Sequence, residues 1–341
     1  MKEKKNTHVN IPVFIPHLGC PNMCVFCNQR TISGVCSFIP ENARSIIEEV
    51  LSNIQESGKT AEIAFFGGSF TGIDRGLMIS LLDLAEEYVR KNEVCGIRMS
   101  TRPDYIDKEI ISILKNYTVS AVELGIQSFS EKVLSKTKRG HSSDDSEKAI
   151  KMLTENGFSV VGQMMIGLPE STPEDEVSCA EKICALGASA ARIYPTIVFR
   201  DTELYDMTLS GEYRPLSVEE AVERSADVLE VFEKNNVKCI RIGLCDAENL
   251  HSCSTYFAGP NHPSLGELVY GELYYRTLIK ALEANKPQSD SVTFCVPRGD
   301  ISMAIGNKSR NKKRILDKYG LKKIKFVEKD GLMRYNVYNM Q

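Results

Sequence analysis

The alternation of short β-rich apolar runs with longer segments of helical period constrains this chain more than any other feature. Residues 9–14, 62–66, 97–101, 121–126, 160–166, 191–198 and 238–242 carry strand patterns, and residues 42–56, 75–91, 107–116, 143–156, 173–186 and 218–235 carry helical ones. Helix punctuation agrees with this reading. Ser171-Thr172-Pro173-Glu174 supplies a capping hydroxyl, a proline for the first turn and an acid near the positive end of the dipole, and Glu155-Asn156-Gly157 supplies a stop. Strict β/α alternation over about 240 residues predicts an α/β fold with a parallel sheet, helices outside, and right-handed crossovers that curl it into part of a (β/α) barrel. Functional side chains then belong at the C-terminal ends of the strands. The pattern breaks near His251, where Ala258-Gly259-Pro260-Asn261-His262-Pro263 reads as an extended loop. The expected organisation is a core over residues 1–250, a connecting loop and helix over 251–284, and a small basic α/β appendage over 285–341.

Composition excludes the unusual classes. With 42% apolar and 26% charged residues among 341, the chain is neither disordered, collagen-like nor a disulfide scaffold. The N-terminal Met1-Lys2-Glu3-Lys4-Lys5 leads only into an apolar run broken by Pro12 and Pro16, too short for a signal core or a membrane span. A cytoplasmic protein without a membrane partner is therefore expected. In that compartment thiols stay reduced, so the 11 cysteines point to metal binding or chemistry rather than disulfides.

Only three of them are grouped. After the first strand comes Gly19-Cys20-Pro21-Asn22-Met23-Cys24-Val25-Phe26-Cys27-Asn28, with three thiols in eight residues on a loop opened by Gly and Pro. Thiolates are the preferred ligands of zinc and of iron-sulfur clusters. A structural zinc site closes with four side chains and would need Cys36 or His17 as well, whereas a 4Fe-4S cluster on three cysteines keeps one iron for a small molecule. Unrelated buried thiols are the third reading. Cys36, Cys95, Cys179, Cys184, Cys239, Cys245, Cys253 and Cys295 show no comparable grouping and read as small buried hydrophobes.

The Cys20-x3-Cys24-x2-Cys27 spacing, with the aromatic Phe26 before the third cysteine, resembles the signature of the radical S-adenosylmethionine (SAM) superfamily. Phe65-Phe66-Gly67-Gly68-Ser69-Phe70 ends the second strand where that superfamily places a Gly-Gly turn against the methionyl end of SAM, a place where backbone without Cβ approaches a ligand closely. Val122-Glu123-Leu124-Gly125-Ile126-Gln127-Ser128, Lys138-Arg139-Gly140-His141, Met164-Met165-Ile166-Gly167-Leu168-Pro169, Ile193-Tyr194-Pro195-Thr196-Ile197-Val198 and Thr202-Glu203-Leu204-Tyr205 resemble the radical core of the Elongator catalytic subunits, which modify wobble uridines in tRNA. The resemblance covers residues 8–245. The oxygen-independent coproporphyrinogen oxidases share the cysteine loop, the Gly-Gly turn and the Gly-x-Gln motif, and less of the Tyr-Pro-Thr stretch.

The resemblance implies a radical SAM partial barrel in which Cys20, Cys24 and Cys27 ligate a 4Fe-4S cluster, with Phe26 beside them. It implies that Gly67, Gly68 and Ser69 accommodate the methionine end of SAM, and that Gln127, Arg139 and Gln163 hold its ribose and carboxylate. A guanidinium suits a carboxylate bidentately, and an amide serves both donor and acceptor hydroxyls. Ser100, in Ser100-Thr101-Arg102-Pro103, stands at a further ribose position where the family commonly has Glu. The implied activity is reductive cleavage of SAM to a 5'-deoxyadenosyl radical that takes hydrogen from a substrate, with an external electron donor. No acetyl-CoA-binding glycine motif follows the core, so carboxymethylation by the Elongator route is not carried over. RNA, with tRNA first, is the expected substrate. A porphyrinogen enzyme and a non-catalytic, zinc-stabilised RNA-binding protein are the alternatives.

The net charge of −3 conceals an asymmetry: residues 285–341 carry 13 Lys and Arg against 5 Asp and Glu, +8, which leaves −11 for residues 1–284. A basic end on an acidic body signals a polyanion partner or a solubilising tail. Within it, Asp300-Ile301-Ser302-Met303-Ala304-Ile305-Gly306-Asn307-Lys308-Ser309-Arg310-Asn311-Lys312-Lys313-Arg314-Ile315 places a Gly-led turn before a basic helix. It resembles the Gly-x-x-Gly segment of KH-type RNA-binding modules, with Ser309 at the second glycine. That resemblance implies phosphate contacts from Lys308, Arg310, Lys312 and Lys313 and a steep dependence on salt.

Overall fold

Successive strands of the main sheet are joined through helices, the crossover connection that parallel neighbours require. The computed structural model describes residues 8–16, 18–20, 24–28, 37–54, 60–244 and 255–340. Its main sheet has β1 (His8–Phe14), β2 (Thr60–Phe66), β3 (Gly96–Thr101), β4 (Val119–Gln127), β5 (Val160–Ile166), β6 (Ala190–Pro195) and β8 (Lys238–Ile242) in chain order, all parallel; a short β7 (Val198–Phe199) leaves the sheet between the last two. Helices α1 (Ala43–Ile54), α2 (Arg75–Arg90), α3 (Lys108–Leu114), α5 (Ser143–Glu155), α6 (Pro173–Ala185) and α8 (Val218–Lys234) cover one face, and the short α4 (Glu131–Lys136) and α7 (Glu203–Leu209) sit in the loops. This is the expected partial (β/α) barrel. Reciprocal capping boxes, Ser142 with Asp145, Thr172 with Asp175 and Ser217 with Glu220, start three of the covering helices.

The period of two along the strands sorts the side chains into two environments. Ile11, Val13, Ile63, Phe65, Ile97, Met99, Val122, Leu124, Ile126, Met164, Ile166, Ala191 and Ile193 face the helices and are buried. The alternate residues face the inside of the half-barrel, and several are charged. Arg98 donates from Nε to Glu62 at 3.0 Å and from Nη1 to Glu123 at 3.1 Å, while Arg192 donates from Nη2 to Glu123 at 2.6 Å and from Nη1 to the Tyr194 hydroxyl at 3.0 Å. Four strands are thus tied across the interior by one ionic chain.

The segment 191–198, expected as one strand, divides. β6 stops at Pro195, the Thr196 amide still donates to the Ile166 carbonyl, and β7 then pairs antiparallel with β9 (Tyr256–Ala258). Pro195 has no amide for the ladder, and Ile197 and Phe199 are covered by Leu244 and Tyr256 instead. Helices α4 and α7 went unassigned in the sequence because six and seven residues make no more than two turns of period. Cys36, Cys245, Cys253 and His17 lie outside the described residues.

Beyond the half-barrel, the 20-residue α9 (Leu265–Ala284) buries Leu265, Val269 and Leu273 in the main core and Tyr274, Leu278, Ile279 and Leu282 in a second one. That second core lies under a three-stranded sheet. Its central β10 (Ser291–Pro297) pairs parallel with β11 (Lys323–Lys329) and antiparallel with β12 (Tyr338–Met340), and α10 (Ile301–Ile305) and α11 (Arg310–Tyr319) connect the parallel pair. Among the described residues no helix is long and apolar enough to cross a membrane.

Glu123 is 2% exposed and is the acceptor for two guanidinium groups. Removing one partner of a buried ionic network strands the others, so Glu123→Leu is expected to cost about 3–5 kcal/mol of stability, read as a lower urea midpoint.

Candidate cofactor site at the strand ends

The loop after β1 is built onto the ends of neighbouring strands. The Ile15 amide donates to the Phe66 carbonyl at 2.6 Å, the Ser69 amide to the Leu18 carbonyl at 3.1 Å, the Val25 amide to the Thr137 carbonyl at 3.2 Å, and the Leu204 amide to the Val25 carbonyl at 2.8 Å. Phe26 packs between two small apolar clusters, one with Val25, Val198 and Leu204 and one with Met165, Leu168 and Tyr194. Cys20, Cys24 and Cys27 lie on this loop outside any disulfide, Cys24 buried and the others half-buried. Among the described residues no three His, Cys, Asp or Glu side chains stand close enough to hold a metal ion, so the sulfurs share a loop without converging on one point.

Gly67 and Gly68 stand at this corner against the cysteine loop. Gly67 has φ +94°, a conformation side chains rarely adopt, and a Cβ on Gly68 would stand 2.5 Å from the Leu18 carbonyl oxygen and 2.7 Å from that of Ile15. What the missing side chains make room for is the backbone of the cysteine loop itself. Ser69 is buried with its hydroxyl 3.4 Å from the Cys20 sulfur, and the Ser100 hydroxyl lies 3.5 Å from the Gly68 carbonyl oxygen. Cys20, Gly68, Ser69 and Ser100 therefore form one wall.

The opposite wall rises from β4. Arg139 is buried; its Nη2 donates to the Gly125 carbonyl at 2.6 Å and its Nη1 lies 3.6 Å from the Cys24 sulfur. Gln127 adopts φ +67° at a register shift between β4 and β5, and it is also buried. A Cβ on Gly125 would stand 2.7 Å from Arg139 Nη2 and 3.1 Å from Gln127 Nε2, so the glycine of Gly-x-Gln lets both side chains close over the strand end. Gln163 lies one strand further, half-buried, paired in register with Gly125 on one side and Arg192 on the other.

Three residues that the sequence reading did not single out belong here. Gln127 Oε1, Arg139 Nε, Arg102 Nη1 and both ring nitrogens of His141 are buried without a hydrogen-bond partner. Buried polar atoms are normally paired, and such a concentration in one corner marks a place prepared for a polar guest. His141 and Arg102 carry no local signal beyond their motifs. Glu123, the third, is visible only once β3, β4 and β6 are side by side. Burial, with Arg139 and Arg102 nearby, pushes His141 down to about 3.

The donor set fits the groups implied by the resemblance. Three cysteine thiols suit a soft metal centre, two buried guanidinium groups offset thiolate charge and receive a carboxylate, and an amide with an unpaired oxygen suits a ribose.

Two outcomes follow from this geometry. Gly68→Ala pushes a methyl into two backbone carbonyls, and it is expected to cost about 1–3 kcal/mol in thermal unfolding and to lower the iron retained after reconstitution. The His141 shift gives a pH dependence of known sign. The unfolded imidazole takes up a proton below about 6.5 and the folded one only near 3, so stability is complete above the upper value and falls as pH drops through that window, by at most about 1.4 kcal/mol per pH unit. His141→Gln is expected to flatten that slope in urea titrations across the window.

Comparison with known proteins agrees with the site. A model of the radical SAM superfamily matches residues 14–183, and one of the radical SAM C-terminal domain matches residues 188–275. An uncharacterized protein of Methanocaldococcus jannaschii is 32% identical over 240 residues, 67% of this chain and 73% of that protein. A tRNA uridine(34) acetyltransferase of Methanocaldococcus infernus is 31% identical over 183 residues, 53% of this chain and 33% of that protein. Elongator complex protein 3 of Mus musculus is 34% identical over 137 residues, 39% of this chain and 25% of that protein. The chain thus spans a quarter to a third of the length of these last two relatives. In structure, the archaeal Elp3 of M. infernus with its N-terminus deleted superposes with a TM-score of 0.62 at 24% identity, over 80% of this chain and 64% of that one, a likeness of fold. The cysteine loop, the glycine turn at the end of β2, the parallel half-barrel and these matches agree: the chain belongs to the radical SAM superfamily of enzymes.

Proposed function

We propose that this protein is an oxygen-sensitive radical SAM enzyme whose substrate is an RNA, tRNA in the first instance. The observation that carries the first part is the corner at the ends of β1, β2 and β4, where a loop bearing three cysteines and a glycine turn lie beside unpartnered Arg139 and Gln127 atoms. When bound, a 4Fe-4S cluster and SAM supply reductive cleavage to a 5'-deoxyadenosyl radical, which takes hydrogen from the substrate. Cys20, Cys24 and Cys27 hold the cluster. Arg139 receives the carboxylate of SAM, Gly67, Gly68 and Ser69 receive its methionine end, and Gln127, Gln163 and Ser100 meet its ribose. Phe26, Met165 and Tyr194 form an apolar patch beside the site that helps exclude water. An external reductant supplies the electron.

The RNA reading rests on the Elongator-type relatives and on the C-terminal module, which we take as residues 285–341 with 251–284 connecting it to a core of 1–250. There the order strand, helix, turn, helix, strand surrounds Gly306-Asn307-Lys308-Ser309. Lys308 and Ser309 both take left-handed backbone, φ +50° and +61°, so serine holds the conformation that a second glycine would favour. Asn311 anchors the turn, donating to the carbonyls of Gly271 at 2.7 Å and Ala304 at 3.2 Å. A cleft of about 610 Å³ lies against it, lined in part by Ile301, Ile305, Lys308, Ser309 and Glu328. Among the described residues Lys308, Arg310, Lys312 and Lys313 enter no ion pair, whereas Arg314 pairs with Glu272 at 2.5 Å.

Anaerobic turnover of the reconstituted enzyme with total tRNA and dithionite is expected to give 5'-deoxyadenosine and a nucleoside of altered mass. SAM cleavage without any altered nucleoside counts against tRNA, and intact cleavage by Cys24→Ala counts against the cluster assignment. Replacing Lys308, Lys312 and Lys313 by Gln is expected to weaken RNA binding and to reduce the slope of log K against log salt by about 2, since single strands give about 0.7 per phosphate contact.

A further inference from the structure

Arg102 is the largest fully buried side chain among the described residues. A guanidinium in that position needs a counter-charge, and Asp104 supplies one from the side: Nε donates to Oδ1 at 2.9 Å and Nη2 to Oδ2 at 2.8 Å. This side-on clamp uses one edge of the planar fork and leaves Nη1 on the other. Nη1 is buried and has no hydrogen-bond partner. The segment around it is fixed. The Thr101 hydroxyl is 2.7 Å from that of Thr71, and the guanidinium carbon is 5.7 Å from the centre of the Tyr105 ring.

This fixed cation is linked to the cysteine loop through Tyr105 and Gly72. A Cβ on Gly72 would be 2.7 Å from the Tyr105 ring and 2.9 Å from the carbonyl oxygen of Gly19, the residue before Cys20. Arg102, Tyr105, Gly72 and Gly19 are therefore stacked in close order, and the charge of Arg102 is within electrostatic reach of the Cys24 and Cys20 sulfurs. Arg139, the other guanidinium beside Cys24, already spends one nitrogen on the Gly125 carbonyl.

We propose that Arg102 is a positioning residue for the sulfur centre: its clamped guanidinium sets a fixed positive charge beside Cys20 and Cys24 and raises the reduction potential of the cluster held there. The sign follows from charge. Adding one electron to a centre already carrying three thiolates makes it more negative, and a nearby buried cation favours that reduced state. Asp104 holds the guanidinium and partly offsets it, so the two residues act in opposite directions. The inference rests on the reading that Cys20, Cys24 and Cys27 hold a 4Fe-4S cluster.

Potentiometric titration of the reconstituted full chain, followed by electron paramagnetic resonance, tests it without turnover. Iron and sulfide content and the spectrum of the unsubstituted protein first establish the cluster; their failure refutes the underlying reading and not the role of Arg102 alone. With the cluster present, R102Q is expected to lower the ratio of reduced to oxidised cluster about tenfold at a fixed potential, a shift of about 59 mV for one electron. R102K is expected to restore most of it. D104N, which removes the offsetting charge, is expected to shift the midpoint upward. An unchanged midpoint in R102Q overturns the proposal. Should R102Q not retain the cluster, D104N decides: an upward shift supports the electrostatic role, and a downward or absent shift overturns it, because a clamp with only a structural purpose gives no upward shift.

Discussion

The hydrogen-bonded ionic chain inside the half-barrel, from Glu62 through Arg98 and Glu123 to Arg192 and Tyr194, is the interaction on which the rest of the structure depends. A closed eight-stranded barrel fills its axis with interdigitated apolar side chains. A seven-stranded open sheet has fewer strands to contribute and one side open, so its inner face needs another filling. Here alternate residues supply charges of both signs, each satisfied across neighbouring strands. Ser100 and Gln163 stand level with this filling, in register with Glu123 and Arg192, while Gln127 and the cysteine loop lie at the C-terminal ends of β4 and β1.

Beside that network lies a site whose polar atoms are not all paired. Gln127 carries left-handed backbone, and it, Arg139, Arg102 and His141 together bury several unpartnered nitrogen and oxygen atoms. Each such atom costs about 1–3 kcal/mol when water cannot reach it. The surrounding packing has to over-determine such a corner for it to persist. It does so through backbone hydrogen bonds from the loop to Phe66, Thr137 and residues 69 and 204, and through the approach of loop carbonyls to Gly68. Guest and host are then complementary, since a ligand that pairs these atoms relieves a cost already present.

Much of the architecture was legible because it depends on local period. Each main strand faces helices with every second residue, and most of the covering helices start at a side-chain cap, so seven strands and six helices can be read from short windows. The cysteine loop and the glycine turn were legible for the same reason. What escaped depends on distance along the chain. Glu123 meets Arg98 across 25 residues and Arg192 across 69, and nothing near Glu123 in sequence announces either. The unpaired state of His141 and Arg102 exists only after burial. The approach of the Leu18 and Ile15 carbonyls to Gly68 is hidden for the same reason, since they lie about 50 residues earlier in the chain. The break after Pro195 was missed because Ile197, Val198 and Phe199 keep a strand-like composition while pairing elsewhere.

The position of α9 gives the basic module a mechanical relation to the half-barrel. A helix of 20 residues is about 30 Å long, and this one devotes its first half to the main core and its second half to the C-terminal one. Ion pairs extend the same connection: Arg276 reaches Asp227 on α8 at 2.6 Å and Arg314 on α11 reaches Glu272 at 2.5 Å. Asn311, at the start of α11, is held by the Gly271 carbonyl of α9. The Gly306–Ser309 turn is therefore fixed to the same rigid element that packs against α8 and the end of β8. On the proposed RNA reading, a chain gripped at that turn would meet the strand ends at a distance set by the helix and not by a loose tether, and rigid attachment would lower the ordering cost of presenting a second part of the same polymer there. A flexible linker would raise it.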